Sequence, residues 1–293
     1  MKNQYKKKFF YLLVFYFLVF SSCFESQITQ QEASNRSNVN NCIRNYMEEN
    51  NISIKGDVKN TLLVVGHAYG KPGTGSFNNS SFYNFFKNNY NDQKQSLYIA
   101  LTGDFVRVPD KKNLTEVKSF LENNSIEYYL ALGNHDIESS IYKSIFEKEI
   151  YYKEFQNFLL ISANFSNKNW LPTDKDQETI QKLINNSQKD TVVLLSHQIF
   201  WANEFPNEIE PNSWDLLETK LKSDSMGWLS KKSKKFIVIS GDHGAFGAPS
   251  FCSIKNNTLY IANGLGDKVE DSIIKITDYS LGFSLEEVFT NEN

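Results

Sequence analysis

Apolar runs alternate with polar stretches along most of this chain, and five of the runs lead within two residues to a glycine or histidine. Continuous runs at Thr61–Val65, Ser96–Leu101, Ile126–Leu132, Phe158–Ala163, Thr191–Leu195 and Phe236–Ile239 have the length and β-branched content of buried strands. Thr258–Ile261, Ile273–Ile276 and Phe283–Val288 read as closing strands. Between them, apolar residues recur at helical spacing. Residues 80–88 place Phe82, Phe85 and Phe86 on one face; 114–123 do the same with Leu114, Val117 and Leu121, with Asn113 as the expected cap. Residues 176–186 present Ile180, Leu183 and Ile184, and short helices are expected at 41–50 and 214–221. Strands that are apolar throughout, alternating with amphipathic helices, indicate a layered α/β fold with both sheet faces covered. The glycine-rich stretch Gly70–Gly75 is expected as loop; it lacks the Gly-Lys-Ser/Thr ending of a phosphate cradle.

The first residues follow another pattern. Lys2, Lys6, Lys7 and Lys8 precede an unbroken apolar run from Phe9 to Phe20, too short for a comfortable membrane span. Ser21, Ser22 and Cys23 follow, so residues 1–22 read as an export signal. Small residues before a cysteine resemble a bacterial lipobox, which makes Cys23 the expected lipidation site; simple cleavage and an uncleaved anchor stay open as alternatives. Residues 23–57 read as a polar tether with a short helix, and 58–293 as the domain. The expected location is therefore outside the cytoplasm, on the periplasmic or cell-surface face of a membrane. Removal of residues 1–22, with four lysines and no acid, takes the formal charge from −3 to −7. That balance argues against nucleic acid as a partner, since its binding needs a basic surface. Cys42 and Cys252 either pair in an oxidising compartment or stand as two free thiols.

All four histidines of the chain stand where an apolar run ends: Gly66-His67, Gly133-Asn134-His135-Asp136, Ser196-His197 and Gly241-Asp242-His243-Gly244. Gly103-Asp104-Phe-Val-Arg107 ends another run. In open α/β sheets ligands bind beyond the carboxyl ends of the strands, so this whole supply points at one edge. Imidazole nitrogen, a carboxylate and a neutral amide oxygen form a donor set for a divalent metal such as Mn, Fe or Zn.

In this order, the motifs resemble those of the calcineurin-like metallophosphoesterases over about residues 60–265, with Gly-Asn-His-Asp the most specific element. The resemblance implies a four-layer α/β/β/α sandwich with mixed sheets and a site for one or two divalent ions. It implies His67, Asp104, Asn134 and His197 as metal ligands, Asp104 bridging, and a hydroxide held between the ions as nucleophile. His135, with Asp136 beside it, is then the proton donor to the leaving oxygen, and Arg107 a phosphate contact. Two positions depart from the family pattern. Val65 stands where its first aspartate belongs, and the closing Gly-His-x-His is broken. In one frame Asp242 replaces the first histidine and Gly244 the second; in the shifted frame, which keeps a histidine in a histidine place and is preferred, His243 is the second and Gly241 replaces the first.

The expected function is metal-dependent hydrolysis of a phosphate mono- or diester outside the cytoplasm, on an envelope glycan, a lipid or another phosphate ester. Membrane attachment is expected through the N-terminal lipid or signal anchor. Absent ligands keep a second reading open, a catalytically impaired envelope protein that uses the same fold for binding or scaffolding. A serine esterase built on Ser196 and His197 is the weakest reading, because no Gly-x-Ser-x-Gly elbow exists. Phe200 and Trp201 are expected in the core rather than against a substrate.

Overall fold

A computed structural model describes residues 38–90, 96–137, 141–146, 150–165, 171–206, 208–209, 226–229, 234–243, 249–266, 268 and 270–291. The export signal, Cys23, the tether as far as residue 37, the helix expected at 214–221 and Gly244 lie outside these residues. Among the described residues no helix is long and apolar enough to cross a membrane.

The elements run β1 (Ile54–Val65), α2 (Ser81–Tyr90), β2 (Leu97–Thr102), α3 (Lys111–Asn123), β3 (Glu127–Ala131), α4 (Asn134–Ile137), α5 (Ile141–Ile145), β4 (Ile150–Glu154), β5 (Phe158–Ala163), α6 (Asp174–Asn186), β6 (Thr191–Ser196), β7 (Lys235–Ser240), β8 (Phe251–Lys255), β9 (Thr258–Ala262) and β10 (Ser272–Phe289), with helix α1 over residues 38–49 ahead of them. They build two mixed sheets, a four-stranded one in the order β10-β1-β2-β3 and a six-stranded one in the order β4-β5-β6-β7-β9-β8. The α/β class with two mixed sheets and flanking helices is the one the sequence pattern and motifs led to.

Side-chain alternation sorts the layers. On β6, Val193 and Leu195 join the core shared with the four-stranded sheet, while Val192 and Leu194 join a second core with Ile180 and Ile184 of α6. β7 divides the same way, Ile237 and Ile239 inward and Phe236 and Val238 toward the α6 side. A period of two puts alternate residues on opposite faces, so both faces of these parallel strands are buried and the strands read as unbroken apolar runs. Phe82, Phe85 and Phe86 of α2, with Leu114, Val117 and Leu121 of α3, pack in the first core. Phe200 and Trp201 lie fully buried in the second, as expected.

Several boundaries differ from the sequence reading for physical reasons. α3 starts earlier, because Asp110 rather than Asn113 caps it, its carboxylate accepting the Asn113 N–H. A reciprocal Thr173/Asp176 capping box starts α6 two residues early. The two strands expected at 273–276 and 283–288 are one strand, β10. The polar stretch between them stays extended because buried Asp278 accepts from Asn60, the Gln156 N–H and Asn157. Val39 to Asn293 form one compact unit. Its packing begins with α1, well before residue 58: Val39, Ile43, Tyr46 and Met47 lie in the first core, and Tyr46 donates its hydroxyl to the Phe236 carbonyl. Cys42 of α1 and Cys252 of β8 form a disulfide, which decides between the two thiol readings.

Candidate metal centre

The end of β1 delivers His67, the end of β2 Asp104, the end of β6 His197 and the end of β7 Asp242. All four are buried. Two come from each sheet, and they meet beyond the carboxyl ends of these parallel strands. His67 Nε2 lies 3.3 Å from Asp242 Oδ1 and 3.6 Å from Asp104 Oδ2. His197 Nε2 lies 3.5 Å from Asp104 Oδ1 and 3.7 Å from Asp242 Oδ1. His67, Asp104 and His197 each offer a ligand atom within 4.8 Å of the others.

The fit to a cation rests on two observations. His197 Nδ1 faces the Thr102 carbonyl at 3.0 Å, which only a protonated Nδ1 satisfies, so in the neutral ring Nε2 is the nitrogen that carries the lone pair. That Nε2 is buried and has no hydrogen-bond partner, and it faces two carboxylates. A buried acceptor aimed at anionic oxygens is costly unless a cation stands between them. Imidazole and carboxylate are also the donors that Mn, Fe and Zn share.

Local backbone explains the placement. His67 and Asp104 have φ of +49° and +50°, a left-handed conformation that costs a non-glycine residue about 1–3 kcal/mol. The loops hold them there: the His67 N–H donates to the Gly103 carbonyl, and the Asp104 N–H donates to the Asp136 carboxylate. Gly103, at φ +82°, is required twice over, since a Cβ there would sit 2.2 Å from the His197 ring. Gly133 is needed for closeness and not for its φ: a Cβ would lie 2.0 Å from Asp104 Oδ1.

Asp136 differs from expectation. It does not pair with His135. Its fully buried carboxylate accepts the N–H groups of Gly133, Asp104, Phe105 and Val106 at 2.8–3.3 Å, tying the loop after β2 to the loop after β3. Burial first, then the Asp104 charge beside it, raise the pKa of this carboxyl, while the Gly133 and Val106 donors and His197 pull it back. His135 is half-buried, and its backbone N–H donates to Asp104 Oδ1 at 3.1 Å. Asn134 is half-buried at the start of α4 and makes no hydrogen bond to the four-residue cluster. Arg107 is exposed just beyond the Asp136 clamp.

Asp242, not His243, faces His67 and His197, so the geometry favours the unshifted frame. The His243 ring instead donates to the Pro249 carbonyl, its Nδ1 is buried without a partner, and burial lowers its pKa. Val65 is wholly buried in the apolar core. Ser196 is also occupied: its hydroxyl bonds Ser240 and the Gln198 carbonyl, not a histidine, which removes the serine-esterase geometry. One site residue went unread. The buried Tyr69 ring lies 5.6 Å from His67 and 5.8 Å from His135, and burial followed by the charges of Asp104, Asp136 and Asp242 holds its hydroxyl protonated. In a chain this rich in tyrosine, its position two residues after His67 is the one signal that singles it out.

The family model for calcineurin-like phosphoesterases matches residues 67–264, which span every residue of this cluster. No curated protein sequence matches the chain. Solved structures similar to it include the protein TT1561 of Thermus thermophilus, with 11% identity, 80% of this chain and 99% of that one covered, and a TM-score of 0.44. A 5'-nucleotidase from Candida albicans is similar at 10% identity, covering 82% of this chain and 53% of that one, with a TM-score of 0.41. The phosphopantetheinyl hydrolase of Mycobacterium tuberculosis gives 10% identity, 79% and 96% coverage, and a TM-score of 0.40.

Proposed function

The chain belongs to the calcineurin-like phosphoesterase family, and from that premise we propose that it hydrolyses a phosphate mono- or diester outside the cytoplasm, using divalent metal held by His67, Asp104 and His197. The observation that carries this reading is the buried, unpartnered Nε2 of His197 facing the Asp104 carboxylate. A divalent ion supplies Lewis acidity and makes water a competent nucleophile at neutral pH. The chain's own residues supply the rest. The Thr102 carbonyl fixes the tautomer of His197. Asp136 fixes the strained turn that carries Asp104. His135, half-buried on the first turn of α4, holds a proton for the leaving oxygen, and exposed Arg107 offers its guanidinium to a phosphoryl oxygen.

The location follows from the basic and apolar N-terminus, and the Cys42–Cys252 disulfide supports it, since such bonds persist in oxidising compartments. Lipidation at Cys23 and an envelope glycan or lipid ester as substrate belong to the same proposal. Wild type is expected to hydrolyse nitrophenyl phosphate esters, and Asp104→Asn or a chelator should remove at least about 99% of the rate, a barrier increase of about 2.7 kcal/mol. Activity that survives both would discard the proposal. Val65 favours a second reading, since apolar packing stands where the family places a carboxylate: a metal-holding fold without turnover. Metal binding with no hydrolysis of either ester class would select it.

A further inference from the structure

We propose that the edge carrying the metal centre is the face this protein turns to an anionic membrane surface, and that the phosphate ester it acts on is carried by a lipid of that membrane. The proposal rests on the reading above that the chain is anchored through its N-terminus.

Helix α1 fixes where that anchor joins the domain. Asn40, in its first turn, accepts the Glu287 N–H at 2.9 Å and donates to the Glu287 carbonyl at 3.2 Å. The Glu287 carboxylate accepts the Ser272 hydroxyl at 2.7 Å. Ser272 opens β10, whose Ile274 stands opposite Val64, next to the strand end that delivers His67. Just past the last turn of α1, the Asn50 carbonyl accepts from Lys235, the first residue of β7. Helix α1 therefore runs from the carboxyl edge of the parallel strands to their amino edge. Whatever precedes Val39 joins the domain at the carboxyl edge, where the metal centre lies.

Length decides between the two edges. Cys23 and Val39 are 16 residues apart. A flexible chain of that length spans about 20 Å, and about 55 Å only when fully extended. β1 alone, 12 residues at about 3.3 Å each, separates the two edges by about 35–40 Å. The carboxyl edge is the one such a tether holds near a bilayer without stretching. Charge agrees with length. Lys71 in the loop after β1, Arg107 in the loop after β2, and Lys111 and Lys112 at the start of α3 are all exposed. Asp110, the acid among them, is engaged in capping α3. Val108, 40% exposed, stands between Arg107 and the two α3 lysines as an apolar tip. Cations around an apolar residue suit the head-group layer of an anionic leaflet, where each Lys or Arg strengthens binding about fivefold. Lipid phosphates lie in that same layer, so a centre held against it meets them directly. The amino end of β1 exposes more apolar surface, at Ile54, Val58 and Leu281, and is the competing face.

The test reconstitutes the full chain in vesicles of equal parts phosphatidylcholine and phosphatidylglycerol, with a fluorophore on Val108→Cys or, in a second variant, on Ile54→Cys. Brominated lipid should quench the probe at Val108 and leave the one at Ile54 bright. Quenching at Ile54, at both sites or at neither would overturn the proposal, as would failure of the full chain to join the vesicles. The variant Lys71→Gln/Lys111→Gln/Lys112→Gln, altered only at exposed positions, should stay anchored yet shift the docked population about a hundredfold toward undocked, at about fivefold per cation. Unchanged quenching at Val108 in that variant would refute the basic rim. With wild type, phosphatidic acid in the same vesicles should be hydrolysed faster than dissolved glycerol phosphate; preference for the dissolved ester would refute the lipid assignment. The quenching readout needs no turnover. Docking without hydrolysis of any ester sinks only the catalytic reading, and hydrolysis without docking sinks only the membrane face.

Discussion

His243 carries a clear pH signature. Burial lowers its pKa below the ordinary histidine value, so the folded chain resists a proton that the unfolded chain accepts. Above that ordinary value both states are neutral and the contribution to stability is whole; it is lost as pH falls through the ordinary value toward the lowered one. Urea unfolding with chelator present should show His243→Gln losing less stability than wild type between pH 7 and pH 5. Parallel profiles would contradict the assignment. At this scale the sequence was readable where chemistry resides in residue type. His67, Asp104 and His197 stood out by motif order, and the structure brings them together. It was not readable where the partner is backbone. Asp136 next to His135 suggested a pair, yet its oxygens are taken by N–H groups of two loops, which no residue pattern encodes. Nor does a sequence say which of two adjacent side chains, Asp242 or His243, turns inward.

Among the elements, α1 depends most on a single covalent link. The Cys42–Cys252 bond spans 210 residues of sequence and ties α1 to β8, an edge strand of the six-stranded sheet. Cross-links closing long loops typically stabilise by about 2–4 kcal/mol. Replacing both cysteines by serine should lower the unfolding free energy by that amount in denaturant titrations, with reductant producing the same loss in wild type only. An unchanged midpoint would show that α1 is held by its apolar face alone. The strands missed by sequence, β4 and β8, both lie at sheet edges. β8 is only half-buried throughout, so it lacks the unbroken apolar run that marked the central strands. β10 was cut in two for the related reason that buried Asp278 looks like loop until its three partners are seen.

At the scale of the molecule, the candidate centre draws His67 and Asp104 from one sheet and His197 and Asp242 from the other, so an ion held there would bind the packed pair and not either sheet alone. A ligand specific to the folded state stabilises it by about 2.7 kcal/mol at a free concentration one hundred times its Kd. Mn2+ should raise the thermal midpoint of wild type in a concentration-dependent way and leave Asp104→Asn unmoved; an equal rise in both would place the ion elsewhere. The layered fold was legible because strands buried on both faces announce themselves. The convergence of ligands was not, because it depends on how the β1–β2 edge is brought against the β6–β7 edge. Val193, Leu195, Ile237 and Ile239 pack on the inner side of the second sheet. Their bulk is the spacer of a calliper whose tips are His67 and Asp104 on one arm, His197 and Asp242 on the other. A methyl group added or removed deep in that spacer is expected to change the gap at the tips, so hydrocarbon volume as well as ligand identity should tune the affinity for an ion held there.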